Sequence, residues 1–222
     1  MLSCHCQDEF DAVQMARYCR LMLKAKDTYH HGDLRAALIK AGEAVLAETG
    51  VTGFSLRSVA KSVGVSHSAP AHHFGDAKGL LDALATEGFR RFLAAMEARQ
   101  AAEPSKDARR QLLASSQGYL DFAISSPALF RLMFATDISH VKSEELAEAA
   151  QASFMHLAEG VARLRGVSPF DAPAAMTDVM AIWSMVHGFS ELYISGRLGP
   201  PDCKPPVDRD AVLNDLIERA MA

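Results

Sequence analysis

Ser66, His67, Ser68, His72 and His73 fall close together in GVSHSAPAHHFG, the stretch from Gly64 to Gly75. Hydroxyls and imidazoles at this density can ligate a metal, move protons, or hydrogen-bond to an anion or a base edge. A metal site is disfavoured because His72 and His73 are adjacent and point in different directions on a helix. Catalysis is disfavoured because the chain has no Glu-x-x-His pair, no glycine-rich phosphate loop and no nucleophile elbow. Serine hydroxyls and histidine rings can also hydrogen-bond to phosphates and base edges. The stretch contains no Lys or Arg, but Arg57, Lys61 and Lys78 flank it. From Lys24 to Lys78 there are 7 Lys/Arg against 5 Asp/Glu, whereas from Leu81 onward there are 14 against 19. A mildly basic first third on a chain of net charge −4 suits a local anionic partner.

A second group is apolar. Phe122, Phe130, Met133 and Phe134 flank a corner at Pro127, and Met176, Met180 and Trp183 recur at i, i+4, i+7, with His187 four residues further on. If those faces meet, they enclose an apolar space with a lone polar handle, the chemistry of a small-molecule pocket. Met and Phe fill an ordinary core just as well.

The elements that position these residues all read as helices. Of 222 residues 49% are hydrophobic but only 7% aromatic, and alanine is abundant. Periodicity begins at Asp33, with Leu34, Leu38, Ala41 and Val45 on one face, and breaks at Gly50 and Gly53. Ser55 is an N-cap for a second helix through Leu56, Val59, Ala60 and Val63, which Gly64 closes. A tight turn then leads to a short third helix ending near Phe74. Its start is read at Ser68, because a helix capped by Ser66 would place Pro70 where its ring crowds the Ser66 carbonyl. Longer helices are expected over 77–101, 107–125, 127–134, 144–166 and 172–196. A proline-rich linker at 198–208 precedes a last amphipathic helix with Val212, Leu213, Leu216 and Ile217. Residues 1–30 form an extension in which a short helix over 9–24 is possible. Its Cys4-His5-Cys6 run lacks the second ligand pair that zinc requires. The four cysteines make no disulfide framework, no apolar run approaches the ~20 residues of a membrane span, and the acidic Asp8, Glu9 and Asp11 argue against a signal peptide. A cytoplasmic protein is expected.

Two helices crossing over a tight turn form a helix-turn-helix. The run DLRAALIKAGEAVLAETGVTGFSLRSVAKSVGVSHSAPAHHFGDAKGLLDAL resembles the DNA-binding region of tetracycline-repressor-type (TetR family) regulators. The resemblance rests on Gly50, Ser55-Leu56-Arg57, Ala60, Gly64-Val65-Ser66, His73-Phe74 and Lys78 with Leu80-Leu81. PALFRLMF and Trp183-Ser-Met-Val-His187-Gly188 are similar to a C-terminal subclass named for its Trp, His and Gly. The family commonly carries tyrosine two positions before its His-Phe pair; here that position is Ala71, leaving His72 or His73 to replace a phosphate contact.

The resemblance implies an all-α protein: a three-helix helix-turn-helix domain at 31–78 and a larger ligand-binding and dimerisation domain at 79–222. It implies a homodimeric regulator, a repressor by type, that binds a near-palindromic operator in double-stranded DNA and is released by a small, largely apolar effector. Expected DNA contacts are Ser55, Arg57, Ser66, His67, Ser68, His72, His73 and Lys78. Expected effector contacts are Phe122, Phe130, Met133, Phe134, Met176, Met180, Trp183 and His187. No metal, cofactor or membrane is expected. The rival readings are a helix-turn-helix protein acting mainly through a protein partner and, least favoured, a helical-bundle enzyme.

Overall fold

The computed structural model describes residues 31–135, 143–198 and 208–221. The N-terminal extension, with its cysteine run, and most of the proline-rich linker lie outside them. Every regular element among the described residues is an α-helix: α1 (His31–Gly53), α2 (Leu56–Val63), α3 (Ala69–Phe74), α4 (Ala77–Ala102), α5 (Ala108–Ser125), α6 (Pro127–Met133), α7 (Glu144–Arg165), α8 (Pro173–Ile194) and α9 (Arg209–Ala220). None is long and apolar enough to cross a membrane.

The first three helices form as their punctuation dictates. Gly50 takes φ 66°, which breaks the helical path of α1. Ser55 Oγ accepts from the Ser58 amide at 3.2 Å and caps α2. Gly64, at φ 76°, closes α2 by donating its amide to the Ala60 carbonyl at 3.0 Å, and Val65 donates to the same oxygen. Ala60 is fully buried where the two helices cross, so nothing larger fits. Leu38, Val45 and Val59 are buried, with Leu34, Leu56, Val63 and Phe74 packed around them. The third helix begins late, after Ser68, with Pro70 in its first turn, as the proline predicts.

The 26-residue α4, about 39 Å long at 1.5 Å per residue, joins the two regions without a break. Its first turns bury Leu80 and Leu84 against α1, where an added Cβ at Gly42 would already touch Leu84 at 3.3 Å. Its later turns carry Phe89, Phe92 and Met96 into the second core. There α4 packs most extensively on α5, and Gly118 makes the contact possible. A Cβ at Gly118 would lie 2.4 Å from the Ala95 carbonyl oxygen and 2.6 Å from Met96 Cα. Backbone cannot yield as a side chain can, so Gly118→Ala must push the two helices apart. We expect a loss of about 1–3 kcal/mol of unfolding free energy, read from urea denaturation; an unchanged midpoint would mean that the helices separate freely.

Candidate nucleic-acid interface and ligand cavity

The helix-turn-helix presents a polar outer surface. Ser66, His67 and Ser68 are exposed in the turn, and His72 is exposed on α3. His73 is half-buried beside the Phe74 ring, over which Arg35 stacks at 5.4 Å. Ser66 and Ser68 are linked at 3.2 Å between hydroxyls, and neither caps α3, so their remaining hydrogen-bonding capacity faces outward. Ser55 lies at the base instead: its oxygen is engaged in capping α2 and in a contact with the Ser58 hydroxyl. It positions the N-terminus of α2 and the Arg57 that follows. Arg57 and Lys61 are exposed and pair with no carboxylate among the described residues. Lys78 differs. Its ammonium is held by both oxygens of Asp82, at 3.0 and 2.9 Å, one helical turn on. Asp82 is itself buried, so part of the Lys78 charge is already neutralised. Sequence spacing placed Lys78 beside the interface but did not reveal this partner. Arg35 was also missed; its one signal was its position a turn before Ile39 on α1.

The C-terminal region encloses a cavity of about 220 Å³. Phe89, Phe92 and Met96 of α4 form one wall, and Ser115, Ser116 and Tyr119 of α5 another. Phe154 and Leu157 of α7 stand opposite Ile182, Trp183 and Val186 of α8, and Phe134 closes the corner. Among the described residues, no charged side chain lines it. Of the eight effector contacts expected from sequence, the structure brings only Phe134 and Trp183 to this wall. Phe122, Phe130 and Met133 are buried behind it; Met133 packs where a Cβ at Gly88 would stand. Met176 packs partly buried at the edge of the core, and Met180 points to solvent at 41% exposure. The reason is helical phase. The inward row of α8 is Ala175, Val179, Ile182 and Val186, and the row 176, 180, 183, 187 lies beside it. Met180 is therefore a correction to the expected pocket.

His187 is placed one layer back. Its Nδ1 lies 2.9 Å from the Tyr119 hydroxyl, and its ring stacks on Phe130 at 5.3 Å and meets Phe134 edge-on at 4.7 Å. It reaches the cavity through Tyr119 rather than directly. His156 pairs in the same way with Ser115, Nε2 to Oγ at 3.2 Å. Burial pushes the Tyr119 phenol up, against an opposing pull from the Trp183 indole, and lowers both imidazoles from their ordinary 6.5. The folded chain thus keeps His156 and His187 neutral where the unfolded chain would protonate them. Their contribution to stability is full above about pH 6.5 and declines as the pH falls through it. The melting temperature should drop between about pH 7.5 and 5.5, and by less in His187→Gln; an equal drop in the variant would remove His187 from the effect. The cavity residues missed in the sequence carried faint signals: Phe89, Phe92 and Met96 at i, i+3, i+7, and a Ser115-Ser116 pair within an otherwise apolar helix face.

The arrangement joins a polar, partly cationic outer surface to an apolar cavity through a single helix. Comparisons with known proteins bear on this directly. Residues 38–84 match the family described as bacterial regulatory proteins, tetR family, and residues 112–220 match the tetracyclin repressor-like C-terminal domain. The HTH-type transcriptional regulator BetI of Stenotrophomonas maltophilia is 30% identical over 123 residues, 55% of this chain and 62% of that protein. BetI of Burkholderia mallei is 34% identical over 95 residues, 43% of this chain and 49% of its own. The matches thus span about half to three-fifths of the length of these curated relatives. Among solved structures, a protein with unknown function from Rhodococcus sp. RHA1 is 34% identical with TM-score 0.71, covering 87% of this chain and 96% of that one. A TetR-like transcriptional regulator from the same organism shares the fold at 16% identity and TM-score 0.61, over 84% and 94% of the two chains.

Proposed function

The chain belongs to the TetR family of DNA-binding bacterial transcriptional regulators and is not an enzyme, and from that premise we propose that it is a repressor released by a small apolar effector. On this reading it acts in the cytoplasm as a homodimer on a near-palindromic operator. One observation carries the proposal: α4 is at once the packing base of the helix-turn-helix, through Leu80 and Leu84, and a wall of the cavity, through Phe89, Phe92 and Met96. A molecule entering the cavity must displace or order these side chains, and a rigid helix transmits the movement. A second link runs beside it. Arg91 of α4 donates to Glu43 of α1 and to the Ser126 hydroxyl at the α5–α6 corner, each at 2.8 Å, and so ties the N-terminal helices to the start of α6, the helix that ends at Phe134. The effector acts as a switch only if it binds the released form more tightly than the DNA-bound one.

The dimer reading rests on the outer side of α8. Met180, Ser184, Gly188 and Leu192 recur every four residues there; Met180 and Leu192 are 41% and 45% exposed, and none of the described residues lies within 4 Å of a Cβ placed at Gly188. Val212 of α9, 37% exposed, adds to the same class of uncovered apolar residue. A twofold pairing of α8 and α9 with their copies covers these residues and sets two reading heads about 34–36 Å, or a multiple, apart on DNA.

The test is selection of bound duplexes from a random pool by the purified chain, followed by a mobility shift on the recovered site. The expected motif has two inverted half-sites, and the retarded complex contains two protomers. A motif without twofold symmetry overturns the homodimeric operator; no sequence preference at all favours a protein partner instead.

A further inference from the structure

The ion pair of Lys78 and Asp82 is oddly placed for a helix stabiliser. Lys78 stands in the first turn of α4, where the helix dipole disfavours a cation. Its acidic partner follows at i+4, the less stabilising order for such a pair. Asp82 is buried, and the Lys78 ammonium, at 2.9 and 3.0 Å from its two oxygens, is the one donor to its carboxylate among the described residues. A buried carboxylate is costly without a cation, so the pair holds itself closed. The Lys78 side chain is nevertheless 49% exposed, and a phosphate can compete for it from the solvent side.

Position gives the pair its consequence. A Cβ at Gly79 would collide with the Phe74 carbonyl oxygen, so the turn from α3 into α4 closes tightly and leaves Lys78 beside the end of α3. Arg57 and Lys61, the other cations flanking the polar turn, pair with no carboxylate among the described residues. An ammonium and a carboxylate together are close to neutral, and binding at a neutral pair releases few counterions from a phosphate chain. To reach a phosphate, Lys78 must either give up Asp82, which leaves a bare carboxylate in a buried place, or keep it and bring the phosphate up against a like charge. Both routes cost affinity. We propose that Asp82 is a positioning residue that restrains DNA binding: it holds Lys78 in a near-neutral pair and so limits what that lysine contributes. This rests on the chain's DNA binding and on Lys78 as one of its phosphate contacts.

The experiment measures the affinity of the full chain for two duplexes of equal length and unrelated sequence over a range of salt concentrations, with melting curves to show that each variant is folded. Asp82→Asn keeps the shape and removes the charge, and Asp82→Ala removes the hydrogen bonds as well, so the test survives the failure of either to fold. Each variant should bind both duplexes more tightly than the native chain, and by the same factor on both. A freed phosphate contact adds up to about 0.9 per protomer to the slope of log affinity against log salt, so for a dimer the advantage should shrink about tenfold between ~50 and ~200 mM salt. In the Lys78→Ala background the same substitutions should change affinity by less than about twofold, the scatter expected of independent sites. A gain that persists without Lys78 would show that the carboxylate repels DNA directly. Unchanged or weaker binding by the folded Asp82 variants would show that it presents Lys78 rather than restrains it. Either result overturns the proposal. If the native chain and every variant leave both duplexes unbound at low salt, DNA binding itself fails, and this restraint with it.

Discussion

A chain truncated after Leu198 should be insoluble or monomeric and should lose DNA binding. The removed α9 is a covering element of its own protomer as well as part of the proposed dimer face. Leu213 and Ile217 are fully buried and Met221 is 5% exposed. At about 1.5–3 kcal/mol for each large apolar side chain, their loss approaches the 5–15 kcal/mol by which a typical domain is stable. Polar contacts fix the helix's register on α5. Glu218 pairs with Arg109, Asn214 with Gln117, and Arg209 with Asp121. Arg99 of α4 joins Asp121 at 2.6 Å and Asp210 at 3.2 Å, completing a four-charge ring. These pairs are partly exposed and individually worth little, so the apolar triplet dominates. Leu213→Ala in the full chain should therefore cost about 2–5 kcal/mol, more than Asp121→Asn. Soluble yield and sedimentation read the truncation; a soluble truncated dimer that still shifts the operator would show that α9 is dispensable to both roles.

The helices and the exposed polar turn were far more legible in the sequence than the cavity, and the reason is physical. Caps and turns are local. Ser55, Gly64 and Pro70 each determine their backbone within a few residues, so α2, the turn and the late start of α3 followed directly from their order. The cavity is not local. It depends on the rotation of α8 about its axis, on how closely α4 and α5 approach at Gly118, and on α7, which contributes Phe154 and Leu157. A series at i, i+4, i+7 fits two neighbouring stripes of one helix, and only the packed partners decide which stripe faces inward; the sequence favoured the stripe of Met180, and the fold buries that of Ile182, leaving Trp183 alone of the other on the cavity wall. Lys78 illustrates the same limit at the interface, since its charge was visible but the burial of Asp82 was not. His187 was expected to face the cavity, but it stands one layer back, against the Tyr119 hydroxyl on another helix.

Arg57→Ala should weaken binding to every duplex alike and flatten its salt dependence, whereas His67→Ala should change which bases are preferred. Arg57 is exposed on the first turn of α2, with a side chain that no described carboxylate engages. Its charge is thus available to a phosphate, and the role proposed for it is that of phosphate ligand rather than reader of sequence. Each lost phosphate contact lowers the slope of log affinity against log salt by about 0.9, so a dimer loses roughly two. At ~1.5–3 kcal/mol per charged hydrogen bond, the two together weaken binding about a hundredfold or more. His67 and Ser68 project from the turn that leads into α3, where a ring nitrogen or hydroxyl can meet a base edge; a good base contact is worth ~1–3 kcal/mol of discrimination. Lys78→Ala is the internal control. Its ammonium already lies between the oxygens of Asp82, so its removal should flatten the salt slope less than removal of Arg57. The measurement is operator affinity against several duplexes at several salt concentrations for all three variants. If His67→Ala weakens all duplexes equally while Arg57→Ala alters base preference, the two roles are reversed and the turn into α3 is not the reading element.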